Sequence, residues 1–465
     1  MGRGRGGTGL VILTMTLVLL IDSLDASIVQ VALPEMSLDL GMSVTDGAFV
    51  VVAYLFPLAG LCIPLSRLAS DGRVRPMLVM GTVVFTAASV GCAMSGDRGV
   101  LIAFRFVQGL GAAMMVSATP AMCTSMLPPE RRHMGMAYMN AACCVAIILG
   151  PALGGLITGL SEWHWIFLIN VPVGLIVVAL ALRIREVSPS SMSGMPEPAR
   201  AAAMFVAVAT GMVVLELWTG GLFAWYTAVL AAICVLSMAA FLALGRRGTG
   251  GERLIDIPLR GNGRYYAITV LFLVNSIIGC GVMYLLPYYL TGSAGYGTLA
   301  AGLLLSVATT VSAVFSIPAG RWCREYGCVL PSNVSLVMRV VFCGMLAVIE
   351  PSMGLAFLLM QLVLMGASFG IAGTALPTRM QIHVEEDLRP SSAAVVLFTN
   401  YIATALGVAV FALLFKAASP GGMASSVDVM DGSAILDGTH FACLVGTVMT
   451  VACLIVSMRV RDPKG

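Results

Sequence analysis

The feature that most constrains this chain is the recurrence of apolar runs about 20 residues long, the length a helix needs to cross a bilayer core of roughly 30 Å. Fourteen follow one another, near residues 10–33, 46–66, 76–95, 99–122, 134–159, 164–183, 201–218, 222–244, 266–291, 298–319, 331–349, 353–376, 391–416 and 439–458. The seventh and eighth are divided only by Thr219, Gly220 and Gly221, so twelve spans is the alternative count. Composition agrees: 59% hydrophobic and 11% charged residues over 465 positions lie outside the range of soluble globular domains and exclude a soluble enzyme. The first run follows Arg3 and Arg5 but is too long for a cleaved signal peptide and has no small-residue cleavage site. The 12 cysteines lie mostly within runs and lack CxxC spacing, so neither a disulfide framework nor a metal site is expected.

Lysine and arginine collect in cytoplasmic loops near span ends. With both termini inside, 22 of the 26 fall in cytoplasmic segments, and shifting the frame by one helix inverts the pattern. The net charge of +3 therefore reflects topology and points to no nucleic-acid partner. The longest polar stretches, 184–200, 245–264 and 417–438, are too short to fold alone.

Acids are rare in spans, which makes "IDSLDASIVQVALP", residues 21–34, stand out. Asp22 and Asp25 are three apart and share a helix face. Inserting both ionised costs roughly 5 to 7 kcal/mol, so that face is expected to line a wet cavity. Two neighbouring carboxylates repel, so at least one is expected to exchange a proton near neutral pH. Arg105 is the matching cation, with Gln108 one turn away; an arginine in mid-span costs roughly 2.5 to 3.5 kcal/mol and needs a partner or water. Arg339, in the eleventh run without a motif around it, reads better as a side chain reaching to the surface. Glu216 reads as an interface residue near the outer end of the seventh run.

A faint internal repeat is visible: "SRLASDGRVR" from Ser66 follows the second run and "GRWCREYG" from Gly320 follows the tenth. If 201–244 is an insert, twelve spans remain, six and six, with these loops in equivalent places.

In this frame the chain resembles the 14-helix drug:proton antiporters of the major facilitator superfamily. "SLDASIVQVALP" resembles that family's first-helix motif, and "RFVQGLGAA" its fourth-helix Arg-x-x-Gln-Gly motif. "AIILGPALGG" resembles its fifth-helix antiporter motif, "WHWIFLINVPVG" its sixth-helix entry, and "YLLPYYLTGSAGYGTLAAG" its ninth-to-tenth connection. The loop after the second span departs from the family: Ser66 replaces its first Gly, Ser70 its Asp, and Asp71 comes one place late. Asn400 stands where many relatives carry Arg.

The resemblance implies an all-α membrane protein with two six-helix bundles, 1–185 and 264–465, and an inserted two-helix hairpin at 186–263. It implies proton-coupled export of lipophilic, cationic small molecules, with Asp25, Asp22 and Arg105 coupling protons. Substrate is expected at Asp25, Tyr54, Gln108, Asn275, Tyr284, Gln361 and Asn400, residues chosen by depth and chemistry. Gly150, Pro151, Gly154 and Gly155 are expected to form a bend or close-packing segment, and Arg67, Asp71 and Arg73 a cytoplasmic loop latch. The expected partners are protons, a small-molecule substrate and the bilayer of the plasma membrane, with no cofactor, no metal and a monomeric state. The competing readings are a transporter of one defined metabolite or natural product and a non-transporting receptor. "GASFG" at 366–370 mimics a nucleophile elbow but lies in mid-span with no strand before it.

Overall fold

The computed structural model describes residues 3–69, 73–184, 225–247, 263–385, 389–418 and 432–460, with scattered residues between 202 and 217. Among the described residues there is no strand. The helices are α1 (Arg3–Asp39), α2 (Val44–Leu68), α3 (Val74–Ala93), α4 (Arg98–Met126) and α5 (Pro129–Leu160). A single turn, Trp165–Leu168, then leads into α6 (Asn170–Arg183). After them come α7 (Trp225–Arg247), α8 (Gly263–Tyr288), α9 (Thr298–Tyr326), α10 (Val329–Leu346), α11 (Gly354–Ile382), α12 (Arg389–Ala418) and α13 (Gly432–Arg459).

Twelve helical stretches among the described residues are long and apolar enough to cross a membrane. The chain is thus a multi-pass membrane protein. Of the other two expected spans, α7 has a shorter apolar stretch, Trp225–Ala240, and much of 201–218, Glu216 included, lies outside the described residues.

Asp97 shows how a span starts: its side chain accepts from the backbone N–H of Gly99 at 2.8 Å and of Val100 at 3.3 Å, satisfying donors that the first turn of α4 leaves open. Large apolar side chains such as Leu175, Ile176, Val314 and Ile317 point outward, where a bilayer accepts them.

By its internal contacts the chain divides into two units. The first comprises 1–29, 49–150 and 161–254. Here α3 packs along α4 and α6; Arg75 donates to Leu182 O at 3.0 Å, and Ser117 on α4 donates to Cys62 O on α2 at 3.1 Å. Phe56 on α2 stacks on Phe106 and meets Phe205. This packing brings α1, α2, α4 and α6 around one buried polar cluster.

The second unit comprises 30–48, 151–160 and 255–465. In it α9 packs on α11, α8 on α12, and α10 on α11 and α13. Arg379, fully buried on α11, donates to Ser457 Oγ at 2.9 Å and to the carbonyl of Val460, closing the C-terminal end of α13. The ends of α1, α2 and α5 join this unit: Thr298 Oγ1 donates to Glu35 at 3.1 Å, Ser37 and Tyr288 share a hydrogen bond of 3.1 Å, and Tyr284 donates to Val44 O. Gly155 on α5 meets Gly302 on α9 backbone to backbone; a Cβ on Gly155 would lie 2.7 Å from Thr298 O and 3.0 Å from Gly302 Cα, so only glycine permits this approach.

Candidate functional site

Asp25, 2% exposed, sits at the centre of the first unit's polar cluster. Arg105 Nη1 donates to its Oδ2 at 2.6 Å, forming an ion pair with both side chains buried. Gln108 Nε2 and Asn170 Nδ2 donate to its Oδ1 at 2.9 and 2.7 Å. Both carboxylate oxygens are thus met by protein N–H donors from α4 and α6. On this face of α1 the structure gives Asp25 three N–H donors from the protein. That satisfies the requirement that a charge in a bilayer be paired and hydrogen-bonded.

The donors are held in turn. Arg105 Nη1 also donates to Gln108 Oε1 at 2.7 Å and Arg105 Nε to Val50 O at 3.2 Å. Ser89 Oγ on α3 accepts from Gln108 Nε2 at 2.8 Å and from Asn170 Nδ2 at 3.3 Å. Helices α2, α3, α4 and α6 therefore converge, directly or through these donors, on one carboxylate of α1.

Asp22, one turn earlier on α1, is held differently. Its Oδ1 accepts from Tyr54 OH at 2.5 Å, and the residue is 7% exposed. The Tyr54 ring lies under the Arg105 guanidinium, 4.4 Å from Cζ to the ring centroid, with Phe167 on another side at 5.6 Å. Tyr54 thus joins the two acids' surroundings: its hydroxyl binds one and its ring face steadies the cation paired with the other.

Of the residues expected from sequence, the structure brings together Asp22, Asp25, Tyr54, Arg105 and Gln108. Asn275, Tyr284, Gln361 and Asn400 belong to the second unit. Tyr284 is fully buried, Asn275 and Gln361 are buried with unpartnered amide atoms, and Asn400 is exposed. Gly150 is buried against Ser27 of α1, whose hydroxyl donates to Ala146 O at 3.2 Å; Pro151, Gly154 and Gly155 continue α5 toward α9. Arg67 lies on α2 and Arg73 is exposed before α3, whereas Asp71 lies outside the described residues.

Asn170 and Ser89 were not anticipated. Asn170 was in plain view in "WHWIFLINVPVG", an uncharged amide among apolar residues, but nothing local links it to Asp25, 145 residues away. Arg339 is a correction: it does not reach the surface but is 1% exposed and hydrogen-bonded within the second unit. Among the described residues no three His, Cys, Asp or Glu side chains are grouped to hold a metal ion.

The described residues form an all-helical, multi-pass membrane protein with a buried carboxylate–guanidinium pair inside its spans, and comparison with known proteins identifies its family as one of membrane transporters. The sequence profile of the Major Facilitator Superfamily matches residues 15–408, and the chain belongs to that family. It is 31% identical over 294 residues to proteins named for multidrug resistance, MdtD, of Escherichia coli O139:H28 and of Shigella flexneri. The match covers 61% of this chain and 60% of theirs; the chain thus matches less than two thirds of the length of these relatives.

The fold is also similar to solved structures. One is a bacterial homolog of the human lysosomal transporter Spinster, with a TM-score of 0.70 at 14% identity over 98% of this chain and 99% of that one. Another is a D-xylose–proton symporter, with a TM-score of 0.65 at 13% identity over 98% of each chain.

Proposed function

We propose that this chain is a proton-coupled antiporter that exports lipophilic, cationic small molecules by alternating access. The observation that carries the reading is the buried Asp25–Arg105 pair beside the Asp22–Tyr54 hydrogen bond. Intramembrane ionisable groups are costly and are kept for transport or relay. Similarity to proteins named for multidrug resistance supports the substrate class.

In this mechanism the substrate-free carboxylate of Asp25 is held by Arg105, Gln108 and Asn170. A lipophilic cation entering from the cytoplasm competes with these donors for Asp25. Opening to the outside admits protons, and Asp22, with one hydroxyl donor and the greater exposure, receives the first. A proton on Asp25 then displaces the substrate, and Arg105 recaptures the carboxylate when that proton leaves inward. The rocking elements are two six-helix bundles, 1–185 and 264–465, with 186–263 as an added hairpin making 14 spans. The protein works as a monomer in the plasma membrane with both termini cytoplasmic, as the lysine and arginine distribution requires.

The test is efflux of a panel of cationic dyes from proteoliposomes holding the purified chain, with an imposed pH gradient. Uphill movement of several unrelated dyes, abolished by collapsing the gradient, is the expected result. Movement of none of them, or movement unaffected by the gradient, overturns the reading in favour of a transporter of one defined metabolite.

A further inference from the structure

Arg339 on α10 is as deeply buried as Arg105, each 1% exposed, yet among the described residues no carboxylate meets it. Its Nε donates to Ser368 Oγ at 3.3 Å, its Nη1 donates to the backbone carbonyl of Asn275, and its guanidinium lies over the Phe369 ring, 4.6 Å from the centroid. All these partners are neutral. A guanidinium carries five N–H donors, so most remain beyond these two bonds.

Two amides on the neighbouring helices are also unsatisfied. Asn275 Oδ1 is buried without a hydrogen-bond partner, and Gln361, seven residues before Ser368 on the same face of α11, has both amide atoms buried and unpartnered. Buried polar atoms are nearly always satisfied in native proteins, so the orphaned amides of Asn275, whose carbonyl Arg339 binds, and of Gln361, two turns along α11 from its partner Ser368, mark a place for a ligand. Gly279, one turn from Asn275, lets the Phe369 ring pack beside the cation: a Cβ there would lie 2.5 Å from Phe369 Cε1 and 3.4 Å from Arg339 Nη1.

The contrast with the first helix is informative. Asp22 precedes Pro34 of α1 by the same interval that Asn275 precedes Pro287 of α8. At these intervals the first unit carries Asp22 and Asp25, the latter paired with Arg105, whereas the second carries Asn275 and Ile278 and, among the described residues, leaves its arginine without a counter-charge.

We infer that Arg339, with the amides of Asn275 and Gln361, forms an anion-recognition site that takes a carboxylate of the transported molecule. The preferred substrates are then lipophilic cations that also bear an acid group, an inference that rests on the export reading above. A carboxylate matches the guanidinium's planar fork and can accept from amide N–H groups at the same time. Chloride and an anionic phospholipid headgroup share this chemistry, and the test separates them.

The probes are rhodamine 110 and rhodamine 123, which share one xanthylium cation and differ in bearing a free carboxylate or its methyl ester. Binding of each to the purified full chain in phosphatidylcholine nanodiscs is read by fluorescence anisotropy. Rhodamine 110 should bind about tenfold more tightly, a ratio that Arg339→Gln brings to about one and Arg339→Lys preserves in part. Gln361→Leu, which leaves the arginine's own bonds in place, should lower the ratio too.

No preference in the wild-type chain, whether both dyes bind equally or neither binds, overturns the inference, as does an unchanged ratio in Arg339→Gln. The measurements are repeated with gluconate for chloride and with phosphatidylglycerol in the disc. If Arg339→Gln abolishes only a chloride- or phosphatidylglycerol-dependent rise in thermal midpoint, the anion is chloride or lipid and the substrate assignment is wrong. Binding needs no gradient, so a preserved preference without coupled efflux sinks the export reading alone.

Discussion

Asn170 Nδ2 lies 2.7 Å from Asp25 Oδ1, so an amide on α6 shares with Gln108 the carboxylate oxygen that Arg105 leaves open. The carboxylate is fastened from two other helices at once, and any molecule that competes for it must loosen both.

Removing either fastener should therefore impair transport in graded fashion. Arg105→Ala leaves a buried carboxylate without its cation, at a cost of about 3 to 5 kcal/mol. Uphill dye export should be abolished and the thermal midpoint should fall, with the protein still inserted. Asn170→Leu removes one hydrogen bond to a charged group, worth about 1.5 to 3 kcal/mol, and should slow export with a smaller fall in midpoint. Normal export by Arg105→Ala would show that the pair plays no part in coupling.

The two acids should separate by driving force. Exchange of one proton for one monovalent cation moves no net charge and is driven by the pH gradient alone, at about 1.4 kcal/mol per unit. A second proton carried by Asp22 adds about 2.3 kcal/mol per 100 mV of membrane potential. Asp25→Asn should abolish coupled export of every substrate. Asp22→Asn should still export monovalent cations but without dependence on potential, while divalent cations suffer more. The measurement is proteoliposome efflux with pH gradient and potential clamped separately; unaltered potential dependence in Asp22→Asn reduces that residue to a wall position.

Close approach of α5 and α9 gives a steric prediction. Gly302→Val places side-chain atoms against the carbonyl of Pro151 and the backbone of Gly155, and overpacking of this kind costs about 1 to 3 kcal/mol. The midpoint should fall and dye export should slow. Gly344→Ala on α10, where a Cβ meets nothing within 4 Å, serves as the control. Equal behaviour of the two variants would mean that the contact is not required.

Topology can be read by thiol labelling in a background freed of the native cysteines. Cysteine at position 191 or 249 should react with an impermeant maleimide only after permeabilisation, and cysteine at 432 should react from outside. The reverse pattern would invert the orientation.

The sequence by itself determined the spans and singled out their unusual members. Length and hydropathy marked each of the twelve helices that, among the described residues, are long and apolar enough to cross the bilayer, and an ionised group in such a run is so costly that Asp22, Asp25 and Arg105 announce themselves without any structure. Tertiary structure alone decided which of these groups meet. In a soluble helix a polar stripe opposite an apolar one shows which face turns inward. In these spans lipid-facing and core-facing positions are both apolar, as exposed Leu175 and buried Val177 on the same helix illustrate, so periodicity carries little information on rotation. The rotation of α6 that turns Asn170 onto Asp25 follows from helix packing. So does that of α10, which buries Arg339 among neutral partners when a surface position was expected: that burial depends on contacts from α8 and α11, which only the folded chain brings together.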